Sequence, residues 1–506
     1  MLNQSTRCRL GACVKLSVLG AALGFPLASS ADVLPLTFRV EDSAQTFAAL
    51  HSAVHGEHSG DLMFFGGLEN MGLHGINGHN PDGGFDAFPL NRYNQDVIVF
   101  NPDTGVLTRG SLMGLSTTIR DAMLVSNAAA HQEGTSLFLY GGFGPLLDVK
   151  EADWSTRDTV VEIDLDAVRT AVLGALPIPG SAFTVTTNAQ VQVAGAKLID
   201  MGDKFALIGG ANFLFDYGLN GLFYGEKMEI FNPSTSCTVQ ESTVLDSINL
   251  HRRDMNAHPC VLPDGIGGSV FGFAITGGVF NNIFPYTNPI TYRKGDVAVV
   301  DHAPVEQKMN IYESPSVSFY RASDDRNRFV MFSGISANHY DRVLETFTFD
   351  FLGPWSREIT EIRMEAGSFV AEVIMDDMDD PTTNVEVIIE HNIPVGANGQ
   401  VLLDSMPAAE VLLGRIYGGL KSSAEGHSPP FGGTATTWAS STIHDVYVVV
   451  GVRGDVNRDG VTDTADLGLM IAQFGGPGLA DLNLDGVVDT ADLGTLIANF
   501  GANTPG

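Results

Sequence analysis

Leu62-Met-Phe-Phe-Gly66-Gly67 is a short apolar run that ends in two glycines, and after a loop a second apolar run follows it, Asp96-Val-Ile-Val-Phe-Asn101-Pro102. Short apolar runs rich in β-branched and aromatic residues, bounded by Gly and Asn-Pro, are typical of buried strands. A diglycine inside such a pattern marks a place where two backbones approach too closely for side chains. The stretch therefore predicts two adjacent buried strands joined by a long loop.

The same unit recurs five more times along the chain. Repetition at a long period predicts a propeller or a solenoid. The first runs of the further copies end at Gly141-Gly142, Gly209-Gly210, Gly277-Gly278, Ser333-Gly334 and Gly418-Gly419, and their second runs are 159–164, 227–232, 296–301, 345–350 and 444–450.

This pattern resembles the kelch repeat, and the resemblance covers residues 32–450. It implies an all-β fold, a six-bladed kelch-like β-propeller with four strands in each blade. Val450 runs almost directly into the next segment, so the last blade lacks an outer strand of its own. We expect residues 34–40 to supply that strand and close the ring.

The end of the chain carries one acidic loop twice, at an offset of 26 residues. Oxygen-bearing side chains stand at positions 1, 3, 5, 9 and 12 of each copy, and calcium takes six to eight oxygen ligands. Gly460 and Gly486 occupy position 6, where the loop turns sharply. The two sets of oxygen-bearing residues are Asp455, Asn457, Asp459, Asp463 and Asp466, and Asp481, Asn483, Asp485, Asp489 and Asp492.

Each loop is followed by an apolar helical stretch, and no amphipathic helix precedes either loop. These features resemble the type I dockerin, a small α module of two EF-hand-like loop-helix units, here at 452–503. The resemblance implies two calcium ions, held by the residues above and by the backbone carbonyls of Val461 and Val487. It also implies a cohesin-like partner recognised through Thr464, Ala465, Thr490 and Ala491. We expect calcium to be needed for folding, because each loop gathers like charges in a segment too small to offset their repulsion.

The N-terminus predicts a bacterial secretory signal peptide over 1–31, with basic residues, an apolar stretch and a small-residue cleavage site. No later segment is apolar for long enough to predict a transmembrane helix. Removal of the three basic residues of 1–31 leaves 25 Lys and Arg against 59 Asp and Glu, a net charge of −34. Such a surface disfavours nucleic acid as a partner. We expect a secreted or cell-surface protein.

Two cysteines remain after the signal, Cys237 and Cys260. An even number in an oxidising compartment makes them a candidate disulfide. Two separate thiols are the alternative.

The long loops after the diglycines would lie on one face of a propeller. Polar groups mixed with aromatic rings suit carbohydrate or peptide binding, and ordinary solvated loops are the alternative. His74 and His79 are also spaced as metal ligands could be, although a loop histidine is more often simply exposed. The candidate ligand-binding residues are His74, His79, Arg92, Tyr93, Phe284 and Tyr286.

The run Arg252-Arg253-Asp254 is predicted to brace the fourth blade through ion pairs, with a binding role as the alternative. Enzymes on similar folds have sequence features that this chain lacks. A copper-radical oxidase needs a cysteine crosslinked to a tyrosine, and sialidases carry repeated sequence boxes. The first hypothesis is therefore an exported, non-catalytic binding protein for a glycan or protein, tethered by its calcium module. The alternative is a carbohydrate-active enzyme, such as a mutarotase or a lyase-like activity, with its site on the propeller axis.

Overall fold

The computed structural model describes residues 36–74, 88–147, 154–215, 222–231, 240–281, 284–428, 432–457, 459–483 and 485–502. Most of the regular structure in these residues is antiparallel β-sheet. The predicted all-β class of the body is confirmed, and the arrangement is consistent with a β-propeller-like fold. No helix within the described residues is both long enough and apolar enough to cross a membrane.

Six sheets follow one another along the chain, and each contains four strands paired antiparallel. Sheet 1 comprises Val54–His58, Asp61–Phe65, Asp96–Asn101 and Val106–Ser111, sheet 2 comprises Ala129–Glu133, Ser136–Tyr140, Thr159–Asp164 and Phe183–Thr187, and sheet 3 comprises Lys197–Asp200, Phe205–Ile208, Lys227–Phe231 and Gln240–Leu245. Sheet 4 comprises Asn256–Pro263, Ser269–Thr276, Ile290–Arg293 and Val300–Asp301, sheet 5 comprises Ser316–Arg321, Arg326–Ile335, Trp355–Glu365 and Ser368–Asp377, and sheet 6 comprises Val387–Ile389, Glu410–Tyr417, Thr442–Val450 and Leu36–Thr46.

Smaller elements join these sheets. Val401–Leu402 adds a short parallel strand to sheet 5. The minor sheets are Leu50–His51 with Leu68–Glu69, Asn338–Asp341 with Thr346–Phe349, Thr382–Thr383 with Leu420–Ser422 and Thr437–Ala439, and Phe143–Pro145 with Trp154–Thr156, Ala211–Phe215 and Leu222–Tyr224. Among the described residues, the α-helices are α1 (Thr117–Met123), α2 (Leu165–Leu173), α3 (Thr464–Gln473) and α4 (Thr490–Ala498), and the short 3-10 helices are Leu90–Arg92, Gly180–Ala182, Ala189–Val191 and Leu403–Ser405.

The sheets pack face to face, which explains why their second strands are apolar on both sides. Asp61–Phe65 in sheet 1 is buried along its whole length. Its Met63 packs in one cluster with Leu139 of sheet 2. Its Phe64 packs in another cluster with Tyr417 of sheet 6. Sheet 1 therefore lies between the next sheet along the chain and the last one.

The N-terminal strand completes sheet 6 as predicted. Leu36 pairs with Val450 and Val40 with Val446, in antiparallel register. The strand continues to Thr46, beyond the predicted 34–40. The chain therefore enters and leaves the six sheets at the same place.

Each diglycine lies where one sheet meets the next. The first glycine of the pair has a positive φ, for example +62° at Gly66, which favours glycine over residues with a Cβ. The second glycine donates its N–H to a carbonyl ahead of the following sheet, at 2.7–2.9 Å. These donor and acceptor pairs are Gly67 and Val125, Gly142 and Val193, Gly210 and Arg252, Gly278 and Ile311, and Gly419 and Leu50.

The fifth sheet uses a serine at this junction. Ser333 adopts φ +66°, as the glycines do. Its Oγ accepts the N–H of Thr382 at 2.8 Å and donates to the carbonyl of Ser356 at 2.7 Å. The hydroxyl thus replaces the backbone contact made elsewhere, which explains why the sequence pattern is weaker here.

Six residues just ahead of the first strands form a closed circuit of backbone hydrogen bonds, here called the axial circuit. Each N–H donates to the carbonyl of the preceding member at 2.8–3.1 Å, and Ser52 closes the circuit by donating to Asn384. All six have a positive φ between +34° and +66°. The members are Ser52, Asn127, Gly195, Asp254, Glu313 and Asn384.

The structure corrects two of the predicted strands. In the fourth repeat the third strand is Ile290–Arg293, not 296–301, of which only Val300–Asp301 pairs. In the fifth repeat Thr346–Phe349 belongs to a loop hairpin, and the third strand is Trp355–Glu365. The latter strand is charged, and its buried Glu361 is paired with Arg328 of the neighbouring strand. A search for apolar runs misses such a strand.

Candidate functional site

The two acidic loops fold in the same way around the carboxylate at position 1. Asp455 Oδ2 accepts the N–H of Gly460 at 2.7 Å, and Asp481 Oδ2 accepts that of Gly486 at 2.8 Å. The φ of the two glycines is +92° and +93°, as a sharp turn at position 6 requires. Each loop therefore curls around an oxygen-rich centre.

The aspartates at positions 9 and 12 connect each loop to its helix. The side chain of Asp463 caps α3, and Asp466 Oδ2 accepts the N–H of Asp463 at 2.7 Å. Asp489 and Asp492 repeat this capping box at α4. Asp466 and Asp492 are buried, so their carboxylates face the interior of the module.

The carboxylates of the first loop repel one another. Burial and then the neighbouring carboxylates of Asp466 and Asp459 raise the pKa of Asp455. Hard oxygen donors gathered with an excess of negative charge fit calcium. The predicted ligands Asn457, Asp459 and Asp463 lie in this first loop, Asn483, Asp485 and Asp489 lie in the second, and Val461 and Val487 bring their backbone to position 7.

The two loop-helix units pack against each other as a pair. Gly501 donates its N–H to the carbonyl of Thr462 at 2.7 Å, and Gly475 donates its N–H to the carbonyl of Val488 at 2.8 Å. The two donors are 26 residues apart in the chain, and so are the two acceptors. Buried side chains of both units share one core, including Met470 of α3. Thr464, Ala465, Thr490 and Ala491, the predicted partner-recognition residues, are exposed at the helix starts.

Of the predicted loop residues in the body, His74 and Arg92 are half-buried. His74 contacts the ring of Phe88 at 4.9 Å between centroids and lines a small cavity beside His51. Arg92 donates to the carbonyl of Asn70 at 2.8 Å. His79 lies outside the described residues.

Two predicted ligand-binding tyrosines are buried instead, which corrects their assignment. Tyr93 is 2% exposed and packs in an apolar cluster with Phe143, because its loop folds back onto the sheets. Tyr286 is 5% exposed and lies under the Arg252 guanidinium, at 4.3 Å from the ring centroid. Neither ring presents a surface to a ligand.

Phe284, by contrast, belongs to an exposed aromatic patch. Its ring lies 6.0 Å from Phe351 and 6.5 Å from Phe349, between centroids. The three side chains are 46%, 45% and 55% exposed, respectively. They come from the loops after the diglycines of sheets 4 and 5, so two repeats meet in this aromatic patch.

The arginine run has two different roles. Arg252 is fully buried and donates to the carbonyls of Gly277 and Asn288, at 3.1 and 2.9 Å. It therefore braces sheet 4 through backbone carbonyls and not through the ion pairs that were predicted. Arg253 instead donates to Asp254, a member of the axial circuit, at 3.2 Å.

The axial circuit brings charged groups together that are distant in the chain. Lys197 Nζ lies 2.9 Å from Glu313 Oε1, and Asn384 donates to Glu313 Oε2 at 2.6 Å. Burial opposes the charge on Lys197, but Glu313 and Glu386 outweigh it and raise the pKa of the amine. Burial and then the charge of Glu313 raise the pKa of Asp254 to about 7.

A cavity of about 530 Å³ opens beside this charged group. The first strands of all six sheets contribute to its wall, together with axial-circuit members. Glu57, Glu313 and Glu386 line it with Lys197, so carboxylates outnumber ammonium groups. The sequence predicts the axis only as the site of the alternative enzyme and indicates none of these lining residues. One recurring signal is a polar residue or glycine followed by alanine, as at Ser52, Asn127 and Gly195.

The predicted disulfide stays a prediction, since Cys237 lies outside the described residues. Cys260 is completely buried in a strand of sheet 4. Burial raises its pKa well above the usual range. A buried neutral thiol of this kind is unreactive.

No protein-family model matches the chain, and no curated protein matches it. Among solved structures 292 chains match. One of them, described as "Structure of YjhT", is 10% identical, with 81% of this chain and 99% of that chain covered and a TM-score of 0.42. A likeness at this level carries no argument about fold or activity.

Proposed function

We propose that this chain is an exported, non-catalytic glycan-binding protein, with a six-bladed kelch-like propeller over 32–450 and a dockerin-like calcium module over 452–503. The aromatic patch of Phe284, Phe349 and Phe351 binds the glycan. The module attaches the protein to a cohesin-like partner. The single observation that supports binding most strongly is the exposure of three neighbouring phenylalanine rings.

Exposed aromatic rings that cluster are a specific feature. Scattered apolar side chains on a surface need no explanation, but contiguous ones mark interaction sites. The phenyl faces suit the C–H faces of a sugar ring, and His339 and Asp350 add polar groups beside Phe349 and Phe351. Polar groups among aromatic rings are typical of ligand sites.

The charge of the protein selects the class of glycan. The full chain has a net charge of −31, so an anionic polysaccharide would be repelled. Neutral polysaccharides avoid this cost. We therefore expect a neutral glycan as the ligand.

The calcium module supports tethering through its exposed face. Ile471 and Ile497, one on each helix, are 64% and 60% exposed. Phe474 and Phe500 follow them and are both 48% exposed. The two units thus present equivalent apolar residues together with the predicted recognition residues, which suits a protein partner.

Affinity electrophoresis tests glycan binding, with the full chain run through gels that contain β-glucan, xylan or mannan. Retardation by a neutral polysaccharide is expected, and Phe349→Ala should weaken it about fivefold or more, as the loss of a central aromatic contact does. Phe223→Ala is the matched control, since Phe223 is 60% exposed but outside the aromatic patch. Equal loss in both variants, or no retardation in any gel, contradicts the proposal.

A second candidate function follows from the axis. Asp254, with a pKa raised to about 7, can exchange a proton near neutral pH, and Lys197 and Glu313 stand close to it. This arrangement favours the mutarotase-like alternative. Anomer interconversion of a neutral sugar, followed by NMR, should then be accelerated by the wild type and not by Asp254→Asn, while Phe349→Ala leaves the rate unchanged.

A further inference from the structure

Three side chains from two different loops converge near the aromatic patch. His339 Nε2 lies 2.9 Å from Asp350 Oδ2, and His427 Nε2 lies 2.8 Å from the same oxygen. All three potential ligand atoms lie within 4.8 Å of one another. It is the one group of three such side chains found among the residues that the structure describes.

The backbone holds each of the three residues in place. His339 lies on the strand Asn338–Asp341, which pairs with Thr346–Phe349. Asp350 follows that hairpin, and its N–H donates to Ala337 at 2.8 Å. His427 follows Gly426, which exchanges two backbone hydrogen bonds with the buried Trp355, at 2.8 and 3.1 Å.

Hydrogen bonding among the three side chains leaves one nitrogen unsatisfied. Asp350 Oδ1 accepts the N–H of Leu352 at 3.0 Å, and Oδ2 accepts from His339. His427 Nε2 is buried and makes no hydrogen bond of acceptable geometry, although Asp350 Oδ2 is close. A buried nitrogen without a partner costs about 1–3 kcal/mol. A cation between the three groups would remove that cost.

The ligand set indicates which cation fits. Two imidazole nitrogens and one carboxylate oxygen suit zinc, whereas calcium and magnesium prefer oxygen ligands alone. Ligand atoms around a tetrahedral zinc ion stand about 3.3 Å apart, so the spacings of 2.9 and 2.8 Å from the two imidazole nitrogens to Asp350 Oδ2 need to widen by about half an ångström.

We propose that His339, Asp350 and His427 form a zinc site on the loop face. Zinc takes its fourth ligand from solvent or from a bound molecule, because His339 is 45% exposed on its outer side. Phe349 and Phe351 of the aromatic patch stand on either side of Asp350 in the chain. The site is separate from the calcium loops and uses none of their residues.

Titration with Co²⁺ tests the site, because four-coordinate Co²⁺ with nitrogen ligands gives intense visible bands that oxygen-only sites do not. The full chain is measured in excess calcium, which fills the acidic loops. One equivalent of Co²⁺ should give these bands, and one equivalent of Zn²⁺ should abolish them. His427→Ala and His339→Ala should each weaken Zn²⁺ binding by more than about tenfold.

His391→Ala is the matched control, since His391 is also exposed and paired with a carboxylate, Glu57. It should leave the bands unchanged. Thermal unfolding of each variant without metal shows whether a loss of Zn²⁺ binding comes from loss of the site or from loss of the fold. If His427→Ala does not fold, His339→Gln is used in its place. Absent bands, or bands that persist in folded His339 and His427 variants, overturn the proposal and leave a hydrogen-bonded cluster only.

Discussion

Replacing Gly277 by alanine tests the role of the diglycines directly. Its φ of +63° costs an L-residue about 1 kcal/mol. The new Cβ would also stand 2.1 Å from the carbonyl oxygen of Ile311, so the backbone must move. That movement breaks the 2.7 Å bond from Gly278 to Ile311, and each buried group left unpaired costs about 1–3 kcal/mol. We expect a total loss of at least about 3 kcal/mol.

Gly134→Ala provides the matched control. Its φ of +58° is nearly the same, but no atom lies within 4 Å of the added Cβ. We expect it to lose only the conformational cost of about 1 kcal/mol. The difference in the free energy of unfolding between the two variants therefore gives the cost of the steric clash at the close approach of the sheets, because the cost of the positive φ is common to both.

Guanidinium unfolding of the full chain in calcium provides the assay, followed by far-UV circular dichroism and by tryptophan fluorescence. Trp355 is 2% exposed and reports on sheet 5, which adjoins the Gly277 junction. Coincident transitions are required before free energies are compared. A loss in Gly277→Ala no greater than in Gly134→Ala would refute the argument from close approach.

Three further predictions concern charge. Asp466→Ala should remove one of two bound calcium ions in calorimetric titration, since Asp466 connects its loop to α3; an unchanged stoichiometry would rule out the ligand assignment. Glu361→Gln should destabilise the fold by about 3–5 kcal/mol in guanidinium unfolding, because the buried Arg328 then loses the charge of its carboxylate partner; an effect under about 1 kcal/mol would contradict this. Asp254 has a folded pKa raised from 3.8 to about 7, so the folded state binds its proton more tightly. Its contribution to stability should therefore fall as pH rises from about 4 to 7, and Asp254→Asn should flatten the measured pH dependence there; parallel pH profiles would argue against it.

The strands of the first three repeats and the last could be predicted because their signal is local. Leu62–Phe65 is apolar on both faces, since sheets pack on both sides of it. The glycines after it are required by a positive φ, a property of the residue itself. The acidic loops are equally local, because their ligands lie within twelve residues of one another.

The third strands of sheets 4 and 5 could not be predicted in this way. Trp355–Glu365 carries charged residues that the interior accepts only because a partner strand supplies opposite charges. Tyr93 and Tyr286 likewise resemble loop residues in the sequence but pack inward. In each case the deciding neighbour is remote in the chain.

Residue type and short spacing in the sequence were enough to predict most of the strands, the tight junctions between repeats and the two acidic loops. Which polar groups meet depends on the tertiary structure. The axial circuit joins Ser52 to Asn384, and the proposed zinc site joins His339 to His427. Such contacts arise when successive sheets are arranged around one axis, and no local pattern records the distances between them.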